Sequence, residues 1–225
     1  MNQFKVKAVM IDLDGTLIHT APEIARAANA MLAGLGRPIL DAKLIETYIG
    51  EGAIALIKRC LTGKLAGEPA ADLLTDAQKL FFDFYAQIVT ESKPYPQTLE
   101  ALQAIKQSGV QLACITNKPA AFTLPLLEKS GLLTYFDLVV AGDTLPKKKP
   151  DPDQIFYVCE KFNVLVNESL LIGDSKTDIA AARNAGCLIF AVPYGYNQGY
   201  SIDISSVDAL INNLHETVAL MTTEY

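Results

Sequence analysis

Beyond residue 97 the chain repeats one pattern, a helical segment followed by a short apolar run rich in β-branched residues. The runs are VQLACIT (Val110 to Thr116), DLVVAG (Asp137 to Gly142), SLLIGD (Ser169 to Asp174) and LIFAV (Leu188 to Val192). Helices are predicted over Thr98 to Ser108, Ala120 to Ser130, Pro152 to Phe162 and Thr177 to Ala185, with a last one near Val207 to Met221. Runs this short and this continuously apolar fit strands buried on both faces. Strands alternating with helices give βαβ units, hence an α/β fold with a parallel sheet covered by helices on both sides.

A fifth run, VKAVMIDL (Val6 to Leu13), stands alone near the start. The residues after it read as helices. Pro22 sits in a first helical turn, and Gly34 and Gly36 end that segment. Asp41 can cap a second helix, Ala53 to Leu61 reads as a third, and Asp72 to Val89 as a fourth rich in Phe and Tyr. No strand is predicted between residues 17 and 90. Lys93-Pro94-Tyr95-Pro96 reads as a stiff extended linker, because each Pro restricts itself and its predecessor. The expectation is an α/β core over 1–16 and 93–225 and an inserted all-helical domain over 17–92.

Composition narrows the function. Of the 225 residues 50% are hydrophobic, which argues against disorder, and the net charge of −6 is wrong for non-specific nucleic-acid binding. An anion site in so acidic a chain has to be made from local cations and backbone N–H groups. Cys60, Cys114, Cys159 and Cys187 are scattered, form no C-x-x-C pair, and read as reduced core residues. There is no signal-peptide pattern at the N-terminus, and no stretch of ~18 apolar residues to span a bilayer. The expected setting is cytoplasmic, without nucleic-acid or membrane partners, as a monomer or homodimer.

Sites in parallel sheets form at the carboxyl ends of strands. Four places qualify: Asp12 with Asp14, Thr116-Asn117-Lys118, Gly142-Asp143, and Gly173-Asp174. In an extended strand Asp12 and Asp14 would share one face, so that one carboxylate could serve as nucleophile and the other as general acid. Two acidic strand ends in one sheet repel each other unless a cation lies between them, which suits a hard, oxygen-ligated ion such as Mg²⁺. Asp178 lies four residues beyond Asp174 and would share its face if helix began at 175; it also reads as an acidic residue favoured by a helix N-terminus. Thr116, Asn117 and Lys118 suit phosphate oxygens, or an ordinary helix cap. Lys147 and Lys148 read as solvated, whereas Lys149, held against Pro150, is the cation to set against a carboxylate–phosphate cluster.

These residues resemble, in order, the four motifs of the haloacid dehalogenase superfamily: Asp12-Leu13-Asp14-Gly15-Thr16-Leu17, Thr116-Asn117-Lys118-Pro119, Lys149-Pro150, and Gly173-Asp174-Ser175 with Asp178. The resemblance spans nearly the whole chain and implies a Rossmann-like sheet with an inserted helical cap. Within the superfamily the chain resembles the phosphatases of 2-phosphoglycolate, through TAPEIARAANAML, Tyr48-Ile49-Gly50-Glu51-Gly52, GDTLPKKKPDP and Tyr194-Gly195-Tyr196-Asn197. It departs from them at His19-Thr20, where an Asp-Ser pair is common, and at Glu51, where Asn is common. The implied roles are Asp12 as nucleophile and Asp14 as acid and then base. Mg²⁺ would be held by Asp12, the Asp14 backbone carbonyl and Asp174. Thr116 and Lys149 would bind the phosphoryl group, with Asp178 and Ser175 in support. Asn117, Lys118, Gly50, Glu51 and Gly52 would meet the substrate, a small phosphorylated metabolite.

Other chemistries stay open on these residues. A dehalogenase would share the nucleophile without needing Asp14 or a metal. A phosphomutase, or a phosphatase of sugar phosphates or nucleotides, would use the same motifs. A phosphonoacetaldehyde hydrolase would need a cap lysine, and Lys43, Lys58 and Lys64 have no distinctive setting. Outside this class, a phospho-acceptor signalling domain would be shorter. Gly50-x-Gly52-x-x-Ala55 as a nucleotide-binding turn lacks the preceding strand.

Overall fold

The computed structural model describes residues 3–222. Residues 1, 2 and 223–225, the outer ends of the expected core domain, lie outside the described residues. The chain begins with β1 (Phe4–Lys5), β2 (Ala8–Ile11) and β3 (Ile18–His19). Helices α1 (Ala21–Gly34), α2 (Ala42–Glu46), α3 (Ala53–Thr62) and α4 (Ala71–Ile88) follow, and then β4 (Lys93–Pro94). The alternation comes next: α5 (Thr98–Gln107), β5 (Gln111–Ile115), α6 (Ala120–Lys129), β6 (Leu138–Val140), α7 (Asp153–Phe162), β7 (Ser169–Gly173), α8 (Lys176–Ala185) and β8 (Leu188–Ala191). It closes with β9 (Ala209–Leu210), α9 (Glu216–Leu220) and β10 (Met221–Thr222).

Six strands form one parallel sheet in the order β6-β5-β2-β7-β8-β9. From β2 the chain builds outward through β5 and β6, then crosses back to β7 and builds the other half. The direction reverses at β2, so the loops leaving β2, β5 and β7 open a crevice at their carboxyl ends. Side-chain alternation separates the two faces. Val9, Ile11, Leu112, Cys114, Leu170 and Ile172 join one core cluster, and Met10, Ala113, Ile115 and Leu171 join another with residues of α7 and α8. The first cluster runs on without a break into Ile24, Met31, Ile45, Ile57 and Phe81 of the helical segment. All four cysteines are buried and unpaired. Among the described residues no helix is long and apolar enough to cross a membrane.

Three details differ from the sequence reading. Residues 17–90 do contain a strand: β3 pairs antiparallel with β4, joining the two chain crossings between sheet and helices. The stretch at Lys93 is extended as expected, and Pro94 sits at an edge where no N–H is required of it. The helix predicted over Val207 to Met221 shrinks to Glu216–Leu220. Asp208 accepts from the Ile189 N–H and pairs with Arg183, drawing Ala209–Leu210 into the sheet beside β8. Asn213 then accepts from the Glu216 N–H, a local bond that ends any longer helix. Finally, β2 stops at Ile11, and after Asp12 the chain turns between Leu13 and Leu17, with Asp14 bridged to Ile18.

The sheet core is the platform for everything at its rim. Leu171→Ala, at a fully buried site in the central strand β7, is expected to cost about 2–5 kcal/mol. The urea midpoint should fall at unchanged m-value; a loss below ~1 kcal/mol would contradict this packing.

Candidate active site

The turn after β2 brings Asp12 and Asp14 into one cavity by a different route from a strand. Gly15 has φ +90°, the Gly15 N–H donates to the Ile18 carbonyl, and the Ile18 N–H donates to that of Leu13. A side chain at Gly15 would also collide with Asp174, whose Oδ2 lies 2.5 Å from the place a Cβ would take. Glycine is therefore needed both for the left-handed backbone and for the close approach of β7.

Lys149 is the hub. Its buried Nζ donates to Asp12 Oδ1 at 2.5 Å, to Asp178 Oδ1 at 2.7 Å and to the Ile115 carbonyl at 3.0 Å. Asp178 is not on one helical face with Asp174, because α8 begins at Lys176 and Ser175 is its N-cap. Asp178 closes a capping box with Ser175, its Oδ2 accepting from Ser175 Oγ at 2.6 Å. Both oxygens of Asp178 are thus engaged, one by the helix and one by the lysine. Asp174 accepts from the Tyr196 N–H at 2.6 Å and from the Thr16 hydroxyl at 3.3 Å. Tyr196 follows Gly195, where a Cβ would lie 2.2 Å from Asp174.

Carboxylate oxygens of Asp12, Asp174 and Asp178 all lie within 4.8 Å of one another, and all three residues are buried. Burial pushes the Asp12 carboxyl well above its ordinary value; Lys149 opposes this, and Asp178 and Asp174 add to it. Burial and the neighbouring Asp178 raise Asp174 to about 7. Burial works against the charge on Lys149, but Asp12 and Asp178 outweigh it and hold the ammonium above its ordinary value. Three buried carboxylates against one ammonium leave an excess of negative charge. Like charges about 4 Å apart repel by roughly 4 kcal/mol at an effective dielectric near 20. Hard oxygen donors with that excess fit a divalent cation such as Mg²⁺.

A single cavity is lined by Asp12, Asp14, Thr116, Asn117, Lys118, Lys149, Asp174, Ser175, Asp178, Gly50 and Gly52. Thr116 is buried, its Oγ1 accepting from the Lys118 N–H. Asn117 Nδ2 donates to the carbonyls of Lys149 and Gly50, tying the Gly50 loop to the sheet end. Lys118 Nζ donates to Asp14 Oδ1 at 2.8 Å and to the Tyr85 hydroxyl at 2.6 Å.

Other expected residues fall elsewhere. Glu51 is not among the residues lining the cavity; Arg59 takes its carboxylate at 2.6 Å and Gln198 donates to it at 3.0 Å. Asp143 accepts from the Ala120 N–H as an ordinary helix-terminus partner. Lys147 is exposed and pairs with Asp151, as read, but Lys148 is half-buried, its Nζ 2.7 Å from where a Cβ on Gly52 would stand.

Sequence reasoning assigned no role to Tyr196, Thr16 or Tyr85. Tyr196 lies just past β8, so the strand-end rule could have found it. Its N–H serves Asp174, while its hydroxyl accepts from the Thr20 and Ala21 N–H groups at the start of α1. Tyr85 looks like any aromatic on the apolar face of a helix, and nothing in its spacing marks it.

A family profile described as "Haloacid dehalogenase-like hydrolase" matches residues 9–192. The chain is 49% identical over 217 residues to a protein named phosphoglycolate phosphatase from Nitrosospira multiformis, covering 96% of each chain. It is 48% identical to one of the same name from Thiobacillus denitrificans, again over 96% of each. Among solved structures, a predicted phosphoglycolate phosphatase from Haemophilus somnus superposes with a TM-score of 0.88 at 32% identity, over 97% of this chain and 98% of that one. Four sheet-end segments around one buried lysine, in a chain matched over nearly its whole length, place this protein among the haloacid dehalogenase-like hydrolases, as a phosphatase of that family.

Proposed function

We propose that this phosphatase is Mg²⁺-dependent, that it hydrolyses 2-phosphoglycolate, and that Asp12 is its covalent nucleophile. The observation that carries the reading is the convergence of Asp12, of the Asp174–Asp178 stretch and of Lys149, three segments far apart in the chain, with Lys149 paired to Asp12 and Asp178. The names of the relatives support the substrate.

Asp12 and Asp174 would hold the ion, with the Asp14 carbonyl; Asp178 is committed to Lys149 and to its own helix. The ion would supply positive charge against the phosphoryl oxygens. An Asp12 oxygen attacks phosphorus as the bond to the substrate alkoxide breaks, and Asp14 gives its proton to the departing oxygen. Asp14, now a carboxylate, takes a proton from water as that water attacks phosphorus. The bond to Asp12 breaks and inorganic phosphate leaves. Lys149, fixed by three acceptors, keeps Asp12 aimed and offsets charge on the transferring group, while Thr116 and backbone N–H groups meet its oxygens. Positioning and charge are most of what phosphoryl transfer requires. Residues 17–92 act as a cap over the core of 1–16 and 93–225, and Gly50 and Gly52 help exclude water once substrate is bound.

Asp12→Asn should remove turnover of 2-phosphoglycolate by at least about a thousand-fold while the far-UV spectrum shows the fold retained. Turnover within about ten-fold of wild type would remove the nucleophile assignment. The pH dependence of the ion follows from Asp174. With its carboxyl raised to about 7 in the folded, metal-free protein, the folded state holds a proton that the unfolded chain gives up at lower pH. Metal-free stability therefore falls as pH rises toward 7, and the carboxylate that binds an ion becomes available over the same range. The rise in melting temperature on adding Mg²⁺ should be small near about pH 5 and grow through about pH 8. A shift that is absent, or larger in acid, would count against a cation on these carboxylates.

A further inference from the structure

We infer that Tyr85 is a positioning residue that acts through Lys118 to hold Asp14 for the water-splitting half of the reaction, so that hydrolysis of the phospho-enzyme depends on α4 being seated against the core. The inference rests on the proposed role of Asp14. Its basis is a chain of three side chains crossing from cap to core. The Tyr85 hydroxyl, on α4, accepts from Lys118 Nζ at 2.6 Å, and the same Nζ reaches Asp14 Oδ1 at 2.8 Å. The ammonium also lies 4.8 Å from the centroid of the Tyr85 ring. Lys118 and Tyr85 are buried, so water does not readily replace either partner.

An ion pair with Lys118 is made by Asp14 as a carboxylate, the form that accepts a proton from water. Lys118 has a long, flexible stem, and its own loop fixes only its backbone. What fixes its Nζ is Asp14 on one side and Tyr85 on the other. Tyr85 is in turn held by its neighbours: its ring lies 5.2 Å from Phe122 of α6 and 5.4 Å from Phe81, and Phe82 stacks on Phe122 at 5.5 Å. This aromatic seat belongs to both cap and core. Moving α4 away from α6 would break the hydroxyl contact and release Lys118, and with it the fixed direction of Asp14.

The test compares the two halves of the reaction in Tyr85→Phe, which keeps the ring and loses only the hydroxyl. With 4-nitrophenyl phosphate, whose leaving group departs without a proton, stopped-flow measurement gives the rate of the first turnover and that of the steady state. The ratio of first-turnover to steady-state rate is expected to rise about ten-fold in Tyr85→Phe, with acid-quenched phospho-protein accumulating in parallel. Phe82→Leu loosens the aromatic seat that carries the hydroxyl and should raise the ratio in the same direction, by less than Tyr85→Phe. An unchanged ratio in Tyr85→Phe, even where both rates fall together, would overturn the inference. Asp14→Asn separates this from the underlying reading: if it too leaves the ratio unchanged, the role of Asp14 itself is wrong, whereas a raised ratio there and not in Tyr85→Phe rejects Tyr85 alone.

Discussion

One buried ammonium organises the site. Lys149 is nearly sealed from solvent and lies between Asp12 and Asp178, two carboxylates that would otherwise face each other in a poorly screened environment. A buried cation is tolerated only with such partners, and removing one partner of a buried pair is far more costly than the pair's net contribution to stability. Burial, Asp178 and Asp174 all push the Asp12 carboxyl upward, and Lys149 is the group that opposes them. Lys149 supplies one charge where three carboxylates converge, and a divalent cation would supply the balance. An excess of buried negative charge is what separates a candidate centre of electrostatic catalysis from a structural salt bridge.

The fold brings these groups together by ordinary means. A parallel sheet whose order reverses at β2 opens a crevice beside its central strands, and the acidic residues are those immediately past the strands that border it. Two glycines, Gly15 and Gly195, let backbone from separate loops come within contact of Asp174. The capping box that starts α8 does double service, since the carboxylate completing it also grips Lys149. The departure at His19-Thr20 lies at the crossing into the helices, where the Tyr196 hydroxyl receives the N–H groups of Thr20 and Ala21.

Much of this was legible in the chain because burial in a parallel sheet leaves a strong signal. Continuous apolar runs ending in Asp or Thr marked β2, β5 and β7 and the residues beyond them, and Lys149 stood out by its place before Pro150. What escaped lay in side-chain reach and local competition. The apolar spacing near Val207 to Met221 suggested a helix, but Asp208 and Asn213 made shorter-range bonds that won. Lys148 read as solvated because a charge run carries no record of what packs on it, and Gly52 turned out to lie there. Glu51 stood in the right loop, yet Arg59, eight residues on, claimed it. Tyr85 contributes a hydroxyl to the cavity from a helix whose pattern describes only its core face.

The proposed centre requires Asp12 and Asp174 to share one divalent ion. Titration with Mn²⁺, followed by electron paramagnetic resonance of the free ion, counts sites directly. It should give one site per chain in the native protein, a site lost or weakened at least about ten-fold in Asp174→Asn, and competition by Mg²⁺. Binding that Asp174→Asn leaves unchanged, or no binding at all, would contradict the shared-ion centre.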